Sequence, residues 1–375
     1  MPETASPSPA TPESPYRARM CAQFMAAAAV LAAQAPDDFR RRIIARSVFV
    51  YAHEFLGWAR RAKNDLKSRP TARQEVQRLE PMLERYAEHD YGPYEVVRHR
   101  IAAHRQPIGG PGGDQITTAA AWLDITDATV RILAEDARAI WNQLAAGYDL
   151  PRLEDFPPVS AELGKALNDA GFESAPSGLV PGVGSFDETR PDAVGVRQGG
   201  DLGERLRELV DAVRSVQVLS QLATVVAGCE PYWRVTAAAL AAEAATLVDL
   251  LYEQPVGTPA EHRHAPLLEL LRAEPGAEAL PILEHGLATL DQPALADVRR
   301  IRNTIGAHVD EHLSVSDLMR ELEKADASAF DAVLDNAFAT ISLARAADLR
   351  LGLLRLVDAP LAGLSRLGSP LGPEY

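Results

Sequence analysis

Apolar residues along this chain recur every three or four positions and almost nowhere alternate. Ile43, Ile44, Val48, Tyr51, Phe55 and Trp58 make one such stripe; Leu202, Leu206, Leu209, Val213 and Val216 make another. That spacing puts each set on one face of a helix. The pattern predicts helices over about Tyr16 to Ala33, Asp37 to Leu66 and Thr71 to Ala87. A further helix is launched by Asp90-Tyr-Gly-Pro, and a long one covers Thr117 to Ala146, with Trp122, Ile125, Val130, Leu133 and Trp141 as core. The second half repeats the plan. A helix from Leu202 is broken by the turn Gly228-Cys-Glu-Pro and followed by Trp233 to Tyr252. A motif-bearing helix then enters from Leu295, and Ser314 to Leu322 and Ala327 to Val357 complete the set. Asp37 and Asp38 read as an N-terminal cap, where a carboxylate meets free amides and the positive end of the helix.

The expected fold is all-α: two tandem bundles of four to five helices joined by a linker rich in proline and glycine. The boundaries are a disordered tail over 1–15, a first helical domain over 16–149 and a linker over 150–200. A second helical domain covers 201–358, and a C-terminal tail covers 359–375. The linker holds at most a short helix around Ala161 to Ala170.

Composition agrees with helices. Hydrophobic residues make up 47% and aromatics only 6%, and Val, Ile, Thr and Tyr do not cluster as strands require. The net charge of −14 is uneven: residues 1–110 hold 17 Lys and Arg against 12 Asp and Glu, and residues 201–375 hold 15 against 26. Broad nucleic-acid binding over the whole surface is therefore disfavoured, whereas a local basic groove in the first half is compatible with the count. Cys21 and Cys229 are too few for a disulfide framework and form no zinc-type pair. No apolar stretch has the length of a membrane span, so no membrane partner is expected. Met20 to Ala35 imitates a secretory signal, but it is mostly alanine and has an apolar counterpart, Val213 to Val226, in the second half. It reads as a core helix, and the expected location is cytoplasmic.

Candidate chemistry centres on two matched segments. Arg302-Asn-Thr-Ile-Gly-Ala-His308 and Arg98-His-Arg-Ile-Ala-Ala-His104 align without a gap. Arginine, isoleucine, alanine and histidine coincide, as expected of an internal duplication. Histidine titrates near neutrality and suits proton transfer; arginine stays charged and forks onto phosphate oxygens. Together they fit metal-free cleavage of RNA, whose 2′-hydroxyl needs a base and whose phosphate needs positive charge. On a straight helix, residues six apart lie about 240° around the axis, so Arg302 and His308 do not meet unaided. Either Gly306 loosens the last turn, or the arginine of one copy faces the histidine of the other.

The pattern of arginine, a polar residue and a histidine near a helix end in a helical bundle resembles the HEPN superfamily. The resemblance implies paired motifs, within one chain or in a homodimer, and a metal-independent endoribonuclease needing no cofactor. It further implies RNA as substrate, a role as a toxin or anti-phage effector, and an antitoxin or other protein partner. By carry-over the catalytic candidates are Arg98, His99, His104, Arg302, Asn303 and His308, with Glu54 or Glu243 as acidic residues on a neighbouring helix. Other members bind nucleotides or proteins without catalysis, so the alternative is a non-catalytic binding module. His308-Val-Asp-Glu-His312 also fits an inverted zinc-protease arrangement, with Glu321 or Glu323 as third ligand, but the first copy does not preserve it. His262 and His264 read as loop surface. Tyr51, Phe55 and Trp58 read as core. Arg40 to Arg42, Arg60, Arg61, Lys63 and Lys67 form the basic runs nearest to an RNA-facing groove.

Overall fold

A computed structural model of the chain describes residues 13–35, 37–97, 125–154, 159–167, 201–252, 265–306, 309–324 and 327–351. All regular structure among them is helical. The first half contains α1 (Glu13–Ala33), α2 (Asp38–Lys67), α3 (Arg73–Arg85) and α4 (Asp127–Tyr148), with the short α5 (Ala161–Leu167) after them. The second half contains α6 (Asp201–Val225), α7 (Tyr232–Leu251), α8 (Leu267–Ala273), α9 (Leu280–Thr289), α10 (Gln292–Ile301), α11 (Val315–Glu323) and α12 (Ala327–Ala347). No helix among the described residues is long and apolar enough to cross a membrane.

Each half begins with a helical hairpin, α1 with α2 and α6 with α7, and closes with a long helix that packs back onto it, α4 or α12. The halves meet through these hairpins: α1 and α2 contact α7, and α2 also contacts α6. Buried side chains from both halves form one continuous core, in which Phe55, Trp141 and Phe330 are among the largest members. Each such side chain contributes about 1.5–3 kcal/mol by leaving water. The expected core aromatics are core: Tyr51, Phe55 and Trp58 are all buried.

Local chemistry explains several helix ends. Asp37 caps α2 as expected, its carboxylate accepting from the Arg40 amide at 2.8 Å. Three boundaries differ from the sequence reading. α1 begins at Glu13, inside the expected tail; Ser14 there donates to Asp65 at 2.6 Å. α4 begins only at Asp127, because Thr126 is extended and exchanges a capping box with Thr129. The part of the expected helix before residue 125 lies outside the described residues. The short linker helix is described over Ala161–Leu167, and residues 168–170, the rest of its expected span, likewise lie outside the described residues. α12 ends at Ala347 rather than Val357: the Asp348 carboxylate accepts from the Arg350 amide at 3.0 Å and forms a salt bridge with its guanidinium.

Two π-helical turns are the chief departures from regular helix, Tyr86–Tyr91 after α3 and Arg302–Gly306 after α10. The first carries Asp90, which faces Asp136 of α4, with Arg85 bridging the two at 3.6 and 3.1 Å. Burial first, and then the Asp90 charge, push the Asp136 carboxyl above its ordinary value. A raised value in the fold means that this group's stabilising contribution is complete below the unfolded carboxylate pKa, about 4. It is lost as pH rises through the folded value. Asp136→Asn is therefore expected to raise the thermal midpoint at pH 7. The gain should shrink toward zero as pH is lowered to about 4, because the lost pair with exposed Arg85 contributes only about 0–1 kcal/mol.

Candidate active site

The second motif occupies the end of α10 and the π turn that follows. Asp291 caps α10 by accepting from the Ala294 amide at 3.0 Å. Leu295, Val298 and Ile301 face inward and hold the helix on the core, while Arg299 and Arg302 lie near the carboxylate of Asp249 on α7. Arg299 Nη2 donates to Asp249 Oδ1 at 2.5 Å, and Arg302 Nη1 to Oδ2 at 3.2 Å. Two guanidiniums on one carboxylate leave a net positive charge, and both arginines keep about a fifth of their side-chain surface exposed, 21% and 22%. Burial nevertheless dominates the Asp249 carboxyl and raises it above its ordinary value.

Gly306 belongs to the widened turn and lies close against α7. A Cβ built there would lie 2.6 Å from the Ala238 carbonyl oxygen of α7. Widening one turn to π geometry inserts an extra residue and re-aims the residues after it. Asn303 is exposed on this turn, whereas Thr304 and Ile305 are buried. The Asp310 amide donates to the Thr304 carbonyl at 3.0 Å and closes the loop behind the turn.

This segment is held by the other half of the chain. The buried Tyr51 hydroxyl of α2 donates to the Ile305 carbonyl at 3.1 Å. Arg17 of α1 donates to the carbonyls of Asp310, at 2.6 Å, and Leu313. Arg61 pairs with Glu311 at 3.2 Å, and the Arg17 and Arg61 guanidiniums each lie 4.4 Å from the Trp58 ring centroid. A buried arginine spending its donors on backbone carbonyls fixes where a loop runs. Burial lowers the Arg17 guanidinium from its ordinary value.

Of the six catalytic candidates, Arg302 and Asn303 are placed. Arg98, His99, His104 and His308 lie outside the described residues. Glu243 does not accompany Arg302. It is buried against Arg46 of α2, accepting from Nη1 at 3.1 Å, while Asp211 and Ser215 of α6 bind the same guanidinium, each at 2.9 Å. Burial alone would lower Arg46, but Asp211 and Glu243 outweigh it and hold it above its ordinary value. The acidic partner that sequence reasoning missed is Asp249. Its signal is a lone carboxylate in the apolar run Leu247-Val-Asp-Leu-Leu. Glu54 is half-buried on α2, close enough to Cys21 and Tyr51 for its charge to be felt by both.

The expected basic groove is partly neutralised, with at least four of its seven cations in ion pairs. Arg40 pairs with Asp37, Arg41 with Asp38 and Asp127, Lys63 with Glu80, and Arg61 with Glu311. Glu321 and Glu323, the third zinc ligands considered from sequence, pair instead with Arg300 and Arg234. His262 and His264 lie outside the described residues. No protein-family model, curated protein or solved structure matches the chain.

Proposed function

We propose that the chain is a metal-independent endoribonuclease whose site combines the motif Arg302, Asn303 and His308 with Arg98, His99 and His104. The observation that carries this reading is the docking of the second motif's turn on the first half, through Tyr51 to Ile305 and Arg17 to Asp310. A motif kept only to close its own bundle has no need of the other half. In this reading Arg302, steered by Asp249, presents positive charge to the phosphate oxygens. A histidine takes the proton of the 2′-hydroxyl, whose oxygen attacks phosphorus; the 5′-oxygen leaves and receives a proton from the second histidine. A cyclic phosphate remains. Asn303, exposed beside Arg302, orients the substrate. A toxin or defence role, an antitoxin-like protein partner and a cytoplasmic location accompany the resemblance to HEPN proteins and belong to the same proposal.

The test is cleavage of an end-labelled RNA pool in excess EDTA by the wild type beside the His104→Ala/His308→Ala double variant. Cleavage by the first alone is expected. Equal cleavage by both, or by neither with both folded, contradicts the reading.

A second reading, a non-catalytic module that binds a protein or nucleotide, draws on the pairing of Arg40, Arg41, Arg61 and Lys63 on α2, which reduces the basic surface open to RNA. It predicts no cleavage and a stoichiometric complex with the partner.

A further inference from the structure

Away from the motif, a cleft of about 270 Å³ opens where α1 of the first half meets the start of α7 and α11 of the second. The space is open to solvent on one side, so it is a surface cleft rather than an interior void. Met20, Phe24, Pro231, Val315 and Met319 give it apolar walls, and Arg19 and Arg234 bring two guanidiniums to it. Among the described residues no carboxylate lines it.

The two arginines differ in state. Arg234 is neutralised, by Glu230 at 2.9 Å and Glu323 at 3.2 Å, and a third donor is spent on the Met319 sulfur. Arg19 has no ion pair or hydrogen bond among the described residues, and its Nε is shielded from water without a partner. A guanidinium that has lost part of its hydration and gained no counter-charge is one that an anion binds well. Met20 and Phe24, each 3% exposed, form the floor; the half-buried Met319, beside Pro231 and Val315, offers a flat, polarisable body a sulfur contact. The volume is at the lower end for small-molecule sites.

We propose that this cleft binds a small planar aromatic anion, its carboxylate or similar group on Arg19 and its ring against Met319, Pro231 and Val315, above the buried Met20 and Phe24. The site is independent of the ribonuclease chemistry. It would nevertheless be felt by the motif loop, because Val315 of the cleft is tied to Glu13 of α1 at 2.6 Å, and α1 also carries Arg17.

The probe is indole-3-acetate, with neutral indole-3-acetamide as its control, titrated into full-length protein carrying [methyl-13C]methionine. Met20 and Met319 line the cleft, whereas Met25 and Met82 do not. Saturable shifts of the Met20 and Met319 methyls are expected, with the acid binding at least about tenfold more tightly than the amide. Arg19→Gln should abolish that preference, with the Met25 and Met82 signals unchanged as the control for folding. Three results would overturn the proposal: unmoved Met20 and Met319 at about 10 mM acid, where a millimolar site would be mostly filled; equal binding of acid and amide; or an undiminished preference in Arg19→Gln.

Discussion

Replacing Arg46 with methionine is expected to cost about 3–5 kcal/mol of stability, the largest effect of any single change considered. The reason is what remains behind. Arg46 and Glu243 have side chains only 6% and 7% exposed, so removing the guanidinium strands the Glu243 carboxylate in the core. Asp211, at 42% exposure, can turn to water and adds less. Arg46→Met/Glu243→Gln should therefore recover a good part of the loss, since the neutral amide leaves a polar group rather than a charge. Urea unfolding at pH 7 measures both. A double variant as unstable as the single one would show that Asp211, or packing around the methionine, carries the cost. Because Arg46 belongs to α2 while its partners belong to α6 and α7, the network also fixes the register between the halves.

Gly306→Ala is expected to destabilise by about 1–3 kcal/mol, the usual cost of forcing an extra methyl group into a packed site. Two effects oppose each other here. Alanine is favoured over glycine in a helix by about 1 kcal/mol, but the new methyl would meet the Ala238 carbonyl at 2.6 Å, a backbone atom that cannot swing aside. The clash should win. Gly57 provides the contrast: it is exposed in the middle of α2 with nothing within 4 Å of a built Cβ, so Gly57→Ala should stabilise. Thermal midpoints moving in opposite directions would support this account. A neutral or stabilising Gly306→Ala would mean that the turn relaxes freely away from α7.

How far the sequence revealed this depends on the kind of feature. The stripe from Ile43 to Trp58 and the cap at Asp37 were legible because each is written in neighbouring residues. The starts of α1 and α4 were less so. Pro12 and Pro15 suggested a tail where Glu13 already begins a helix. The Thr126–Thr129 capping box was hidden because Ile125 continues the apolar period of the helix after it. The site resisted more strongly. A π turn has no composition of its own, so the widening at Arg302–Gly306 could be suspected from Gly306 but not placed. Asp249 is 53 residues from Arg302, and only folding brings α7 beside α10. Glu243 looked equally suitable from its helix, but its face of α7 meets Arg46 instead.

The most direct test of the central claim is the chemistry of the cleaved ends. Purified protein should be incubated in excess EDTA with an RNA oligonucleotide and with the same oligonucleotide carrying a 2′-deoxy residue at the cleavage position. The expected products end in a 2′,3′-cyclic phosphate, with no cleavage at the 2′-deoxy position and loss of cleavage in Arg302→Ala and in His308→Ala. Cleavage that persists at the 2′-deoxy position, products with a free 3′-hydroxyl, or no cleavage of either substrate by the wild type would contradict it.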